Sequence, residues 1–126
     1  MLFDTNFLIH YTGQRGKKSQ EAAQRFADAH LDSPLYTSRV AWAEFAEGCA
    51  TKDMIETYLA PFTVIEVSEQ VAWEASRISR ALDRRGLPIG DNDVWIAATA
   101  KVYRLPLVSR NEKHFERVAG LEVEEY

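Results

Sequence analysis

Cysteine is almost absent: Cys49 stands alone in a chain of 126 residues. One thiol excludes an internal disulfide framework and any site built on paired zinc thiolates. Glycine and proline are few, six and four, and they do not gather into a linker. There is no internal repeat and no low-complexity run. No apolar run approaches the roughly 20 residues that span a bilayer. The opening MLFDTNFLIHYTG has neither the basic stretch nor the small-residue cleavage site of a signal peptide. The expectation is a cytoplasmic protein folded as a single domain over residues 1–126. An excess of positive charge is also missing. The net charge is −4, which alone argues against a nucleic-acid partner. Yet Asp4, Glu44, Asp91 and Asp93 carry −4 between them, and without them the remainder is neutral. If such acids converge on a metal, the sign of the total does not decide the partner.

What is present is enough for a packed core: 46% of residues are apolar and 27% charged. Residues 1–4 read as a buried strand ending in Asp4, followed by a short helix over 7–12 and a loop over 13–18. Apolar positions Ala22, Ala23, Phe26 and Ala29 predict a helix from Ser19, its N-cap, to His30. Leu35–Thr37 reads as a strand. Ser38 caps a helix to about Glu47, and Met54–Leu59 adds a helical turn or two. Phe62–Val67 is a strand. Ser68 opens a helix to about Arg85 that buries Val71, Ala72, Ala75, Ile78 and Leu82, stopped by Gly86 and Pro88. A helix from Asp91 to about Tyr103 offers Trp95, Ile96, Ala98, Thr99 and Val102 for burial. Leu107-Val108 is a strand, 111–117 a turn or short helix, and Leu121–Val123 a last strand. This alternation predicts an α/β three-layer sandwich with a mainly parallel central sheet flanked by helices. Sites in such sheets lie beyond the carboxyl ends of strands. Asp4 occupies one such end, and Ser109, Arg110 and Asn111 follow another.

Hydrolysing a phosphodiester calls for activated water and stabilisation of a crowded anion, and a divalent metal supplies both. Magnesium and manganese prefer oxygen ligands, so the chain must bring carboxylates from separate elements to one point. Asp4 directly follows an apolar run, where it serves either as a helix cap or as a ligand. Glu44 sits within RVAWAEFAEG on an apolar-leaning face with Val40 and Ala41, where a glutamate needs a partner or a metal. Glu47, one turn on, reads as solvated. Asp91 and Asp93 open a helix, where acids are favoured by capping and by the macrodipole. One cap does not account for both.

Four segments together resemble one family. LFDTN resembles a strand followed by a DTN start. SRVAWAEFAEG resembles a helix with a glutamate four residues before glycine. GLPIGDNDVWIAATA resembles an aspartate followed by an xxIAAxA pattern. LPLVSRNEKHFERVAGLEVEEY resembles the family's closing segment. In this order and spacing, from Met1 to Tyr126, they are similar to the PIN-domain family and in particular to VapC toxins of bacterial toxin–antitoxin pairs. The resemblance implies a ribonuclease dependent on Mg2+ or Mn2+, with Asp4, Glu44 and Asp93 as catalytic and metal-holding acids. Asp91 lies at a position that varies in the family; it is a helix cap, a supporting group or an extra ligand. Asn6, Ser109 and Asn111 fall on auxiliary positions. His114 is a departure, since the family commonly has an acid before that phenylalanine. It puts a full second metal site in question, and the expectation for a lone histidine is a surface residue.

The basic residues cluster. Arg15, Lys17 and Lys18 lie in an early loop. Arg77, Arg80 and Arg84 form one stripe on a helix, which also reads as an ordinary solvated face. Arg110 and Lys113, on the same strand end as Asn111, are the candidates for RNA phosphate contacts. The expected substrate is a structured RNA with an exposed loop, such as transfer or ribosomal RNA. The resemblance also implies a homodimer and a cognate antitoxin protein. Phe7, Tyr11, Phe26, Trp42 and Phe45 could serve those interfaces or the core, and the core is the expectation. Two other readings stand beside the toxin: a PIN nuclease for RNA maturation or DNA cleavage, and a decayed scaffold that binds RNA or protein without cutting.

Overall fold

Short apolar runs separated by amphipathic helices leave the strands one economical way to pair, in parallel through helical crossovers. A computed structural model describing residues 1–126 has this arrangement. Its elements are β1 (Leu2–Phe3), α1 (Thr5–Tyr11), α2 (Lys17–Asp28), β2 (Tyr36–Ser38), α3 (Arg39–Ala46), α4 (Lys52–Tyr58), β3 (Thr63–Ile65), α5 (Glu69–Arg84), α6 (Asp91–Val102), β4 (Leu107–Val108), α7 (Glu112–Phe115) and β5 (Val123–Glu124). The sheet order is β3-β2-β1-β4-β5, and every pairing is parallel. Leu2 pairs with both Tyr36 and Leu107, and Phe3 with both Thr37 and Val108. The central strand is therefore enclosed on both edges, and Leu2, Phe3, Leu107 and Val108 are fully buried.

The first two crossovers step outward from β1 to β2 and β3, and the next two run the opposite way, to β4 and β5. Right-handed crossovers then place α1–α4 on one face and α5–α7 on the other. The direction reverses between β1 and β4. That is the switch point where α/β sheets open a crevice at their carboxyl edge.

Local chemistry sets the boundaries. Asp4 does not extend β1: its side chain accepts the Phe7 N–H at 2.8 Å and turns the chain into α1 two residues earlier than expected. Ser19 is not a cap. Gly16, at φ 93°, ends the loop and α2 starts at Lys17, which leaves Ser19 inside the first turn. Ser38 and Ser68 do cap, accepting the N–H groups of Ala41 and Val71. Thr51 caps α4 and starts it ahead of Met54. β3 keeps three of the six residues expected, because only they meet β2. β5 falls two residues later than expected, since Leu121 is spent in the turn at Gly120, where φ is 75°.

The core is a cluster of 26 buried apolar side chains. α5 contributes Val71, Ala75, Ile78 and Leu82 but leaves Ala72 half exposed. α6 is buried almost all round through Val94, Ile96, Ala97, Ala98, Thr99 and Ala100, whereas Trp95 and Val102 are only partly covered. Phe7 and Phe45 are core residues, and Tyr11, Phe26 and Trp42 are partly buried against the core.

The Ser38 cap is fully buried and the Ser68 cap is half exposed. Ser38→Ala strands a buried N–H and is expected to cost about 1–2 kcal/mol, against about 1 kcal/mol or less for Ser68→Ala. Urea midpoints of the two variants check the order.

Candidate active site

Two strand ends meet at the switch point. After β1 comes Asp4, only 4% exposed. After β4 comes Ser109, fully buried, whose Oγ donates to Asp4 Oδ2 at 2.5 Å and accepts the Asn111 N–H at 2.9 Å. The same carboxylate holds the start of α1 through Oδ1, so Asp4 joins β1, α1 and β4. Glu44 arrives from α3, and its Oε1 accepts from the Thr5 hydroxyl at 2.7 Å. Asp93 arrives from the first turn of α6, half-buried. A cavity of about 280 Å³ lies between these elements, lined by Asp4, Thr5, Asn6, Ile9, Glu44, Glu47, Asp93 and Asn111.

The cavity is electrostatically uncompensated. No lysine or arginine lies within ion-pair distance of Asp4, Glu44 or Asp93. Burial pushes the Asp4 carboxyl up to about 6 from 3.8; bonds from Ser109 and Phe7 oppose the rise, while the charges of Asp93 and Glu44 add to it. Asp93 is also raised, by burial and then by Glu44, with His114 pulling the other way. Asp4 and Asp93 both resist ionisation because they are desolvated and have like charges for neighbours.

The structure brings Asp4, Glu44, Asp93, Asn6 and Asn111 to one cavity, with Ser109 beneath. Asp91 does not cap α6: Gly90 holds the cap position. Asp91 is exposed and edges an adjoining hollow with Glu44, Gly90, Asn92 and Asp93. His114 is partly exposed, as expected of a surface histidine, but it has neighbours. Its Nδ1 lies 2.9 Å from Asn111 Nδ2 and 3.8 Å from Asp93 Oδ2, because the single turn of α7 folds it back over β4's end. Arg110 is engaged elsewhere: its guanidinium lies 4.5 Å over the Tyr126 ring, and Nε donates to the Tyr126 carbonyl at 3.1 Å. Lys113 is exposed on α7 and makes no ion pair. Sequence reasoning missed Thr5, although it stands inside the DTN run. It also read Glu47 as solvated; that residue is exposed yet lines the cavity.

The donor set suits a hard divalent ion. It is all oxygen, and a carboxylate as buried as Asp4 with only like charges around it calls for a cation. No three acidic or histidine side chains close into a cage of protein ligands. Magnesium, which keeps several of its waters, does not require one.

The fold and cleft define an α/β protein with an acidic, oxygen-lined site at the switch point of a parallel sheet. Residues 1–121 match the PIN domain family. The chain belongs to that family, and within it to the VapC ribonucleases. It is 30% identical over 130 residues to Ribonuclease VapC2 of Haemophilus influenzae, covering 99% of this chain and 96% of that one. The structure of VapBC-1 from nontypeable Haemophilus influenzae is similar with a TM-score of 0.79 and 27% identity, over 98% of this chain and 96% of that one. DNA-bound VapBC from Salmonella typhimurium shares the fold, with a TM-score of 0.83 at 23% identity over 98% and 96% of the two chains. No helix is long and apolar enough to cross a membrane.

The raised Asp4 value has a stability consequence. The folded chain holds this proton more tightly than the unfolded chain, about 6 against 3.8. Folding is therefore favoured in acid, and the gain is lost as pH rises through that window. In EDTA, Asp4→Asn is expected to be more stable than wild type by roughly 2–3 kcal/mol near neutral pH, with the gap closing by about pH 4. Melting curves of both proteins across pH check this; parallel curves contradict it.

Proposed function

We propose that this VapC-family ribonuclease is the toxin of a toxin–antitoxin pair and cuts exposed strands of structured RNA, with transfer or ribosomal RNA as the target class. The observation that carries the reading is the cleft: Asp4, Glu44 and Asp93, from three separate elements, face one cavity with no lysine or arginine to neutralise them. These three acids hold Mg2+ or Mn2+, with Asp91 at the rim as an additional ligand. The ion, when bound, acidifies water and neutralises the phosphate. Ser109 orients the Asp4 carboxylate and Thr5 orients Glu44, each by a hydroxyl bond. Asn6 and Asn111 line the cavity and supply amide donors for phosphate oxygens, Asn111 through the Nδ2 hydrogen not directed at His114. Lys113 meets the RNA backbone beside β4, and so does Arg110 through the terminal nitrogens that its contact with Tyr126 leaves free.

Residues 1–126 act as a single PIN domain. The antitoxin partner is supported by the relatives, whose solved structures include a toxin–antitoxin complex from Klebsiella pneumoniae at 28% identity and a TM-score of 0.72; the homodimer rests on the family resemblance. An antitoxin protein binds this chain, and the chain pairs with a second copy.

The deciding experiment is digestion of total cellular RNA with magnesium, with manganese and with EDTA. Wild type is expected to release discrete fragments only with metal. Asp93→Asn keeps the shape of the side chain but loses a charged ligand, and its rate is expected to fall by about two orders of magnitude or more. Asp91→Asn, at the rim, is expected to lose about tenfold or less. Full activity of Asp93→Asn, or equal and complete loss at both positions, overturns the assignment.

A further inference from the structure

We propose that the outer face of α5 is a landing surface for single-stranded RNA, on which Trp73 stacks a base and Arg77, Arg80 and Arg84 take the phosphates beside it. It rests on the ribonuclease reading above for its substrate, and it adds a site remote from the acids.

Residues 73, 77, 80 and 84 are spaced four, three and four apart. At 100° per residue they fall within an arc of about 60°. That arc is opposite the buried row of Val71, Ala75, Ile78 and Leu82, and all four residues are exposed. Trp73 is 63% exposed. This ring stands in water beside three arginines rather than against other apolar groups. The Arg77 guanidinium lies 4.2 Å over the indole. No other aromatic or cationic group is paired with it, so a second planar group can stack on the free side.

The charge pattern selects the occupant. None of Arg77, Arg80 and Arg84 has a carboxylate within ion-pair distance. Beside them, Arg85 donates to the Arg117 carbonyl at 3.1 Å and Arg117 to the Pro88 carbonyl at 3.0 Å, so these two cations also lack an acid. Glu74, the acid nearest the stripe on the α6 side, is neutralised by Lys101 at 2.8 Å. Glu69 and Asp83 border the stripe on the flank that carries Ser76, and neither is within ion-pair distance of an arginine. Five uncompensated guanidiniums thus gather on a chain whose net charge is −4. A polyanion matches this surface, and a stacking ring amid arginines is the pattern that holds unpaired nucleotides. An acidic protein segment would use the arginines but leave the indole without a role.

On the flank of α5 beside the stripe, Ser76 and Ser79 border a hollow shared with Asp91 and Trp95 at the start of α6. Asp91 also edges the hollow that contains Glu44 and Asp93. A strand lying on α5 is thereby directed past Asp91 to the acids.

The test is fluorescence anisotropy of a labelled oligouridylate of about twelve nucleotides, titrated in EDTA over a series of salt concentrations. The variants are Trp73→Ala and the triple Arg77→Gln, Arg80→Gln, Arg84→Gln, with melting curves confirming that each is folded. The triple variant is expected to bind at least about tenfold more weakly and to lower the slope of log Kd against log salt by about 2. Trp73→Ala is expected to lose about tenfold with the slope unchanged. Wild-type affinity and slope in the variants overturn the proposal, as does a wild type that does not bind the oligonucleotide. So does a variant that binds RNA normally but loses self-association or binding to an acidic peptide, which would assign the face to a protein. Because binding is read without metal, the two readings fail separately. A wild type that binds through α5 but never cuts with magnesium or manganese sinks the nuclease alone. One that cuts, while the variants bind as wild type does, sinks the α5 surface alone.

Discussion

A carboxylate buried at the end of the central strand organises the whole carboxyl edge of the sheet. Asp4 stops β1, caps α1 and accepts from Ser109 at the end of β4. Burying an acid is costly unless its oxygens are satisfied and its charge is offset. The two hydrogen bonds meet the first need. The second is unmet by any side chain, which is why the Asp4 carboxyl is pushed up to about 6. A structural cap would be cheaper on the surface, or as a serine, as at Ser38 and Ser68. The position makes sense when a cation shares the charge.

The same constraint explains which parts of the chain could be read beforehand. The alternation of strands and helices, the parallel sheet and the two serine caps follow from local pattern, because burial on both sheet faces and capping are local demands. The helix beginning at Gly16 did not follow. A positive φ at a glycine is a backbone choice that apolar periodicity does not register. The acids themselves were recognisable as residues out of place among apolar neighbours, and the family resemblance ordered them. What holds them was harder to see. Thr5 bonds Glu44 across 39 positions, and Ser109 bonds Asp4 across 105; only the folded topology sets such pairs.

His114 illustrates the limit more sharply. In a single sequence a lone histidine carries no sign of its neighbours, and solvent is the ordinary expectation. The one-turn helix α7 returns it toward β4, where it meets Asn111 and Asp93. The family resemblance leads one to expect an acid at this position. A histidine cannot add a negative charge there. The cleft's charge is therefore concentrated on Asp4, Glu44 and Asp93, with Asp91 and Glu47 at its margins.

Net charge conceals how that concentration is balanced. An enzyme that cuts a polyanion with a cation must gather carboxylates where the metal sits, and those carboxylates repel the substrate. The repulsion has to be overcome by positive charge placed elsewhere and left unpaired. Arg39 and Lys101 do not supply it, because each is paired with a glutamate. Arg110 is partly committed to Tyr126. Lys113 beside β4 and the guanidiniums of α5 are left without an acid, the latter on the opposite side of that helix from the core. A chain of net charge −4 can therefore attract RNA: its two kinds of charge are segregated, the acids at the switch point and the free arginines on the outer face of α5.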